Sequence, residues 1–256
     1  MSYVDAHLHL ADPEYAGQVE QLIEDATRNS VSYLLSNSMD YQTSVQTIAL
    51  AKRYERKVLA AIGVHPWTVI NQTDNQLDKF EELIEENREY VIAIGEIGLD
   101  GQYTQDEDPM KRQKGVFRFF LELAERKKLP VVVHSRLAVD DVIDTLSSFH
   151  LPKVLLHWYS GPAEKLRLIG ERGYLISVGP SVCYSRRIME IACQADLDII
   201  LTETDGPVKY HGPFEGKVTK PSFVIDVVRK LAEIKSLSPD NVRETVWANF
   251  QKLILD

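Results

Sequence analysis

Val131-Val132-Val133-His134 is the stretch whose reading decides the fold. Three consecutive β-branched residues leave no polar alternation, as in a parallel strand with helices packed outside it. Pro130 stands directly before the run, where a preceding helix must have stopped. The run then closes on an imidazole. Val132 and His134 are two residues apart, so a strand turns both to the same side. The imidazole therefore sits at the strand end, on the side that Val132 fills.

Working outward, the same design recurs. β-like runs lie near 3–9, 31–36, 58–64, 91–96, 130–134, 153–157, 174–178 and 198–204. Val31–Leu35 and Ile199–Leu201 are again continuous and apolar. Helical patterns fall between the runs: Val19, Leu22, Ile23 and Ala26 share one face, Val116, Phe120, Leu123 and Ala124 another, and Val224, Val227, Val228 and Leu231 a third. Such alternation gives either a barrel or a doubly wound sheet. The polar residues select the barrel. His7 and His9, His65, Glu96, His134, His157 and Asp205 fall at or just past the ends of six runs. A doubly wound sheet gathers its site at one switch point behind a Gly-rich first turn, and no Gly-x-Gly-x-x-Gly follows the first run. The expected fold is α/β, a (β/α)8 TIM-type barrel, with a metal site at the C-terminal ends of the strands. The 256 residues suit one domain spanning 1–256.

Composition narrows the function classes. With 44% hydrophobic and 26% charged residues the chain is ordinary for a globular protein. No apolar run approaches the roughly 18 residues of a membrane span. Met-Ser-Tyr-Val-Asp has neither a basic nor an apolar leader segment. Cys183 and Cys193 form no Cys-x-x-Cys and are read as reduced, buried thiols. The chain is expected to be cytoplasmic, without a membrane partner, and to act as a monomer. A net charge of -9 argues against a long footprint on duplex nucleic acid and favours a small phosphoester or DNA end.

The chemistry starts at Asp5-Ala6-His7-Leu8-His9, where alternation puts Asp5, His7 and His9 on one face. Two imidazoles at i and i+2 can converge on one cation when a strand end twists. Ile92, Ile94 and Glu96 share a face, as do Leu155 and His157, and Leu201, Glu203 and Asp205. Each polar group thus follows apolar residues that fill a barrel. Buried acids in such numbers require compensation by cations or hydrogen bonds. Four His, one Glu and one Asp can hold two divalent ions, with Glu96 bridging them through its two oxygens. Paired ions about 3.5–4 Å apart activate a water and offset developing charge. Zinc, manganese and magnesium all suit these mixed donors.

Six segments in this order resemble the TatD-type metal-dependent deoxyribonucleases of the amidohydrolase superfamily. They are Asp5–His9, Gly63-Val64-His65-Pro66-Trp67, Gly95-Glu96-Ile97-Gly98-Leu99-Asp100, His134-Ser135-Arg136, His157-Trp158-Tyr159-Ser160-Gly161 and Glu203-Thr204-Asp205-Gly206-Pro207. The resemblance spans nearly the whole chain. It implies that His7, His9, Glu96 and Asp205 hold one ion, and that Glu96, His134 and His157 hold the second. It further implies that His65 and Arg136 contact substrate phosphate and that Asp205 takes the proton of the attacking water. Glu203 is left as either a carboxylate behind the ligands or a holder of a further ion. The family often has Cys-Phe where Trp158 and Tyr159 stand, an aromatic pair that suits either base stacking or packing. Its Arg-Gly-Lys-x-Asn-Glu-Pro-like loop is replaced by Glu215-Gly216-Lys217-Val218-Thr219-Lys220-Pro221, where Lys217 can still meet a phosphate. Arg186, Arg187, Lys209 and Lys217 are the candidates for a basic rim.

The implied activity is phosphodiester hydrolysis by a DNase working 3′ to 5′. One alternative is an amidohydrolase-type hydrolase of a small ester, lactone or amide. No Lys occurs between Tyr90 and Tyr103 to bridge two metals as in the lysine-bridged branch of that superfamily. The other is a non-catalytic barrel that binds nucleic acid or a partner, which predicts a broken ligand set.

Overall fold

The computed structural model describes residues 2–104 and 106–254. Eight strands form one sheet: β1 (Tyr3–Leu8), β2 (Val31–Asn37), β3 (Val58–Ile62), β4 (Val91–Asp100), β5 (Val131–Arg136), β6 (Val154–Leu156), β7 (Leu175–Val178) and β8 (Ile200–Thr202). They lie in sequence order, each pairing in parallel with the next. Around them run α1 (Val19–Arg28), α2 (Tyr41–Arg53), α3 (Asp74–Glu86), α4 (Glu107–Lys127), α5 (Val139–Leu146), α6 (Leu166–Glu171), α7 (Arg186–Gln194), α8 (Val224–Lys235) and α9 (Pro239–Ile254). This is the (β/α)8 barrel that the alternation of runs implied.

The apolar runs explain why the strands stay inside. Val131, Val132 and Val133 are fully buried, as a strand covered on both faces must be. Helix faces meet them: α1 buries Leu22, Ile23 and Ala26, α4 buries Val116, Phe120, Leu123 and Ala124, and α8 buries Val224, Val227, Val228 and Leu231. Each such aliphatic or aromatic side chain larger than alanine contributes about 1.5–3 kcal/mol on leaving water.

The barrel closes between β8 and β1 largely through side chains and through backbone just past the strands. The Asp5 carboxylate accepts from Thr204 N at 2.9 Å and Thr204 Oγ1 at 2.5 Å. Thr202 Oγ1 donates to the Val4 carbonyl at 2.8 Å. Beyond the strand ends, Asp205 N donates to His7 O at 2.8 Å and His9 N to Gly206 O at 2.7 Å. Helix α9 covers this seam from outside, packing on both β1 and β8. The seam carries three site residues, so closing the barrel also brings His7, His9 and Asp205 together.

Strands β4 and β8 differ from expectation, and β3 and β6 end at Ile62 and Leu156, short of the expected runs. β8 ends at Thr202, so Glu203 and Asp205 lie past the ladder. There Asp205 takes a left-handed φ of 46°, and alternation no longer governs where its carboxylate points. β4 continues to Asp100, four residues past Glu96. The ladder shifts register between Ile94 and Ile97 on β4 and between Asp5 and Leu8 on β1. Such irregularities re-aim side chains, and here both fall at candidate ligands. The cysteines also depart from expectation: Cys183 is only half-buried and Cys193 is exposed. Helix α7 turns Ile188, Ile191 and Ala192 inward, which leaves Cys193 on its solvent face.

Candidate metal centre

The centre is organised around the two oxygens of Glu96. On the Oε2 side, His7 Nε2 and His9 Nε2 are 3.2 Å apart. They lie 3.3 and 3.2 Å from Glu96 Oε2, and each is 3.3 Å from Asp205 Oδ1. Donor atoms about 3.3 Å apart have the spacing of neighbouring ligands around a cation with bonds of about 2.0 Å, the length of a Zn–N or Zn–O bond. On the Oε1 side, Glu96 lies 2.7 Å from His134 Nδ1 and 2.6 Å from His157 Nε2, and those two nitrogens are 3.3 Å apart.

Tautomers decide which nitrogens are free to ligate. His9 Nδ1 lies 3.1 Å from the Asn37 carbonyl, so its N–H points there and Nε2 is the nitrogen that can face an ion once its own proton leaves. His134 Nε2 lies 2.9 Å from Asp100 Oδ2, which directs Nδ1 inward in the same way. Metal-binding imidazoles keep their far N–H on an oxygen as these do. His7 and His157 instead stack face to face, centroids 3.8 Å apart and planes 8° apart. Their Nδ1 atoms, with Glu203 Oε1, lack hydrogen-bond partners among the described residues. Glu203 Oε2 accepts from Ser177 Oγ at 2.5 Å and lies 3.7 Å from His157 Nδ1. That places Glu203 behind His157, at the back of the centre.

The groups are almost wholly buried, so their charges are set by one another. Burial alone would lower the His9 imidazole, yet hydrogen bonds to Asp205 and Glu96 carry it up to about 10. Burial likewise opposes charge on His134 and His157. Asp100 and Glu96 nevertheless raise His134, and Glu96 and Glu203 raise His157 well above its ordinary value. The carboxyls move the other way. Against burial, His157, His65 and His7 hold Glu96 well below the usual range, and His7 and His9 hold Asp205 low. Protons thus balance the carboxylates where a divalent ion can take their place. The donor types, their spacing and their tautomers all fit bound divalent cations.

His65 is different in kind. Its Nδ1 accepts from the Trp67 backbone N–H at 3.1 Å, so the ring proton is on Nε2 and faces Glu96 Oε1 at 3.2 Å. Burial lowers its pKa to about 4 despite the carboxylate. At neutral pH it therefore offers a neutral N–H donor and no free lone pair on that side. His65, Glu96 and His134 are close enough to share an ion, but this tautomer argues against His65 as a ligand.

Close backbone packing makes the centre possible. Gly98 has φ 141°, and a Cβ there would lie 2.1 Å from the His134 carbonyl oxygen. Only glycine lets β4 approach β5 so closely. Asp100, not singled out in the sequence reading, then reaches His134 and the Trp67 indole N–H at 2.8 Å with its carboxylate, while its backbone N–H donates to Gln113 Oε1 at 2.8 Å. The sequence signal for it was the acid closing Gly95–Asp100.

Other candidates fall at varied places. Arg136 is exposed at the end of β5, in register with Asp100. Tyr159 is buried, with its hydroxyl donating to Pro162 O at 2.7 Å, and so serves packing. Trp158 packs towards Tyr210, with centroids 5.7 Å apart. Lys209 and Lys217 line one hollow of about 450 Å³ beside Pro207. Lys209 pairs there with Glu14 at 3.3 Å, and Lys217 donates to Pro213 O at 2.7 Å. Arg186 pairs with Glu190 at 3.1 Å, and Arg187 donates to Ser160 O. The expected rim is thus largely engaged in local contacts. No helix among the described residues is long and apolar enough to cross a membrane.

A parallel barrel whose strand ends gather imidazoles and carboxylates in this way is the architecture of a metal-dependent hydrolase. The profile of the TatD related DNase family matches residues 4–255, and the chain belongs to that family. It is 31% identical to a protein of Methanocaldococcus jannaschii named as an uncharacterized metal-dependent hydrolase, over 97% of this chain and 95% of that one. It is 30% identical to human deoxyribonuclease TATDN3, over 98% of this chain and 93% of that one. The crystal structure of YjjV, a TatD homologue from Escherichia coli, superposes with a TM-score of 0.91 at 27% identity, covering 99% and 98% of the two chains.

Proposed function

We propose that this metal-dependent hydrolase cleaves phosphodiester bonds at the 3′ ends of DNA strands, with two divalent ions held on opposite sides of Glu96. Zinc, manganese and magnesium are the candidate ions. His7, His9, Asp205 and Glu96 would hold one ion; His134, His157 and Glu96 would hold the other. The observation that carries this reading is the meeting of two separate donor sets on the two oxygens of one buried carboxylate. When bound, the ions supply an acidified water and positive charge for the phosphoryl oxygens.

The chain's own residues do the rest. Asp205, ionised at neutral pH, takes the proton of the attacking water. His65 donates Nε2–H to a phosphoryl oxygen as a neutral hydrogen-bond donor. Its contribution is therefore directional and carries no positive charge. Arg136 supplies that charge, with a planar fork suited to phosphate. Asp100 fixes the ring of His134. The human relative's name as a deoxyribonuclease supports the choice of DNA.

A substrate panel tests the reading. Protein reconstituted with zinc, manganese or magnesium is given 3′-labelled single-stranded DNA, RNA, a simple phosphodiester, a lactone and a dipeptide. Stepwise loss of 3′ nucleotides from DNA, abolished by chelator, is expected. Lactone or dipeptide turnover without phosphodiester cleavage would contradict it.

A further inference from the structure

Trp67 and Tyr103 are large aromatics left 41% and 49% exposed at the barrel mouth. Their ring centroids are 6.3 Å apart, with planes 29° from parallel. Trp67 is held by its ring and Tyr103 by its backbone. The Trp67 indole N–H donates to Asp100 Oδ2 at 2.8 Å, and the backbone N–H groups of Gln102 and Tyr103 donate to Asp100 Oδ1 at 2.8 and 2.7 Å. The same buried carboxylate holds His134 Nε2 at 2.9 Å. One side chain thus ties the Trp67 ring and the Tyr103 backbone to a candidate metal ligand. The Trp67 ring lies 4.7 Å from that of His65 and 6.3 Å from that of His134. Arg136 is exposed on the neighbouring strand end, in register with Asp100.

We infer that Trp67 and Tyr103 form a stacking platform for a base next to the scissile phosphate of a bound strand. This deepens the phosphodiester reading above and rests on it. Two exposed π-faces held beside a cation-binding centre match what a single strand offers, a flat base joined to an anionic phosphate. A base already paired and stacked within a duplex has no free face to give. Trp158 and Tyr159 do not compete for this role, because Tyr159 is buried and Trp158 packs against Tyr210. A small aliphatic phosphoester or lactone would leave the platform without a partner.

The test compares KM and kcat of the full-length, metal-loaded protein on two short DNA strands. One is natural; the other carries stable abasic residues at its last two 3′ positions. The abasic strand is expected to show a KM about tenfold higher, with kcat changed far less. Tyr103 is the residue to vary, because its link to Asp100 runs through its backbone N–H. Tyr103→Leu should raise the KM of the natural strand about tenfold, towards that of the abasic one, and Tyr103→Phe should restore it. A second readout is quenching of tryptophan fluorescence by a phosphorothioate strand, which Trp67→Phe should remove. Equal KM for both strands, or wild-type behaviour of Tyr103→Leu, would overturn the platform while leaving the hydrolase reading intact. Cleavage of neither strand would overturn both.

Discussion

The two sides of Glu96 are built differently. The Oε2 side is closed: His7, His9 and Asp205 join it to give four donors, each imidazole within 3.3 Å of both carboxylates, all drawn from the β8–β1 seam and β4. The Oε1 side has only His134 and His157 as ligating partners. The third imidazole there, His65, presents an N–H instead of a lone pair. A closed set anchors an ion, whereas a set with an open position leaves room for substrate and water. The open side is also the one tied through Asp100 to the exposed Trp67. On the proposed reading, the difference assigns the securing of one ion to the buried seam and the handling of substrate to the mouth of β4 and β5.

Substitutions can break this division. The largest effect is expected from Glu96→Gln, which weakens both sides at once. Turnover should fall on the order of 10³-fold or more, and metal content measured by atomic emission should drop for both ions. Retention of both ions would show that Glu96 is not the bridge. Asp205→Asn comes next. Its fold, followed by circular dichroism, should be retained while kcat falls on the order of 10³-fold. A purified variant with wild-type rate would remove Asp205 from the reaction.

Asp100→Asn sharpens the comparison, because it acts on one side alone. Outer partners of a ligating imidazole typically matter by about 10–100-fold in affinity or activity. Here the ion on the Oε1 side should weaken by that much and the ion on the Oε2 side should hold. Equal weakening of both in a two-site titration would merge the two sides into one.

The smallest effect is a proton count. In the ion-free protein His9 keeps its proton up to about 10, so loading zinc near pH 8 must expel it. Binding heats should then vary with the ionisation enthalpy of the buffer. The sign for stability follows from the raised value. The His9 contribution to the ion-free protein is full below about pH 6.5, its unfolded value, and is lost as pH rises through about 10. Buffer-independent heats near pH 8 would contradict this protonation state.

Much of the fold was legible because unbroken apolar runs and helical faces are local patterns. Val131–Val133 read as a covered strand and proved to be one. His7 and His9 were legible as a pair through their i, i+2 spacing. What lay beyond reach depended on contacts between distant segments. Asp100 acquires its role only because β4 runs on past a register shift, to where His134 and Trp67 meet it. The neutral state of His65 depends on one backbone N–H at Trp67. Asp205 was assigned inward by alternation, but a left-handed residue beyond the end of β8 is what turns it. The aromatic pair noticed in the sequence, Trp158 and Tyr159, was the less exposed one; the packing of Trp158 on the 208–214 segment is not written in the dipeptide.

The central claim is that one carboxylate carries an ion on each oxygen. Anomalous scattering from crystals soaked in zinc or manganese measures this directly. Two peaks are expected, one among His7, His9, Asp205 and Glu96 Oε2, the other against His134, His157 and Glu96 Oε1. A single peak, or ions bound away from Glu96, would contradict the account.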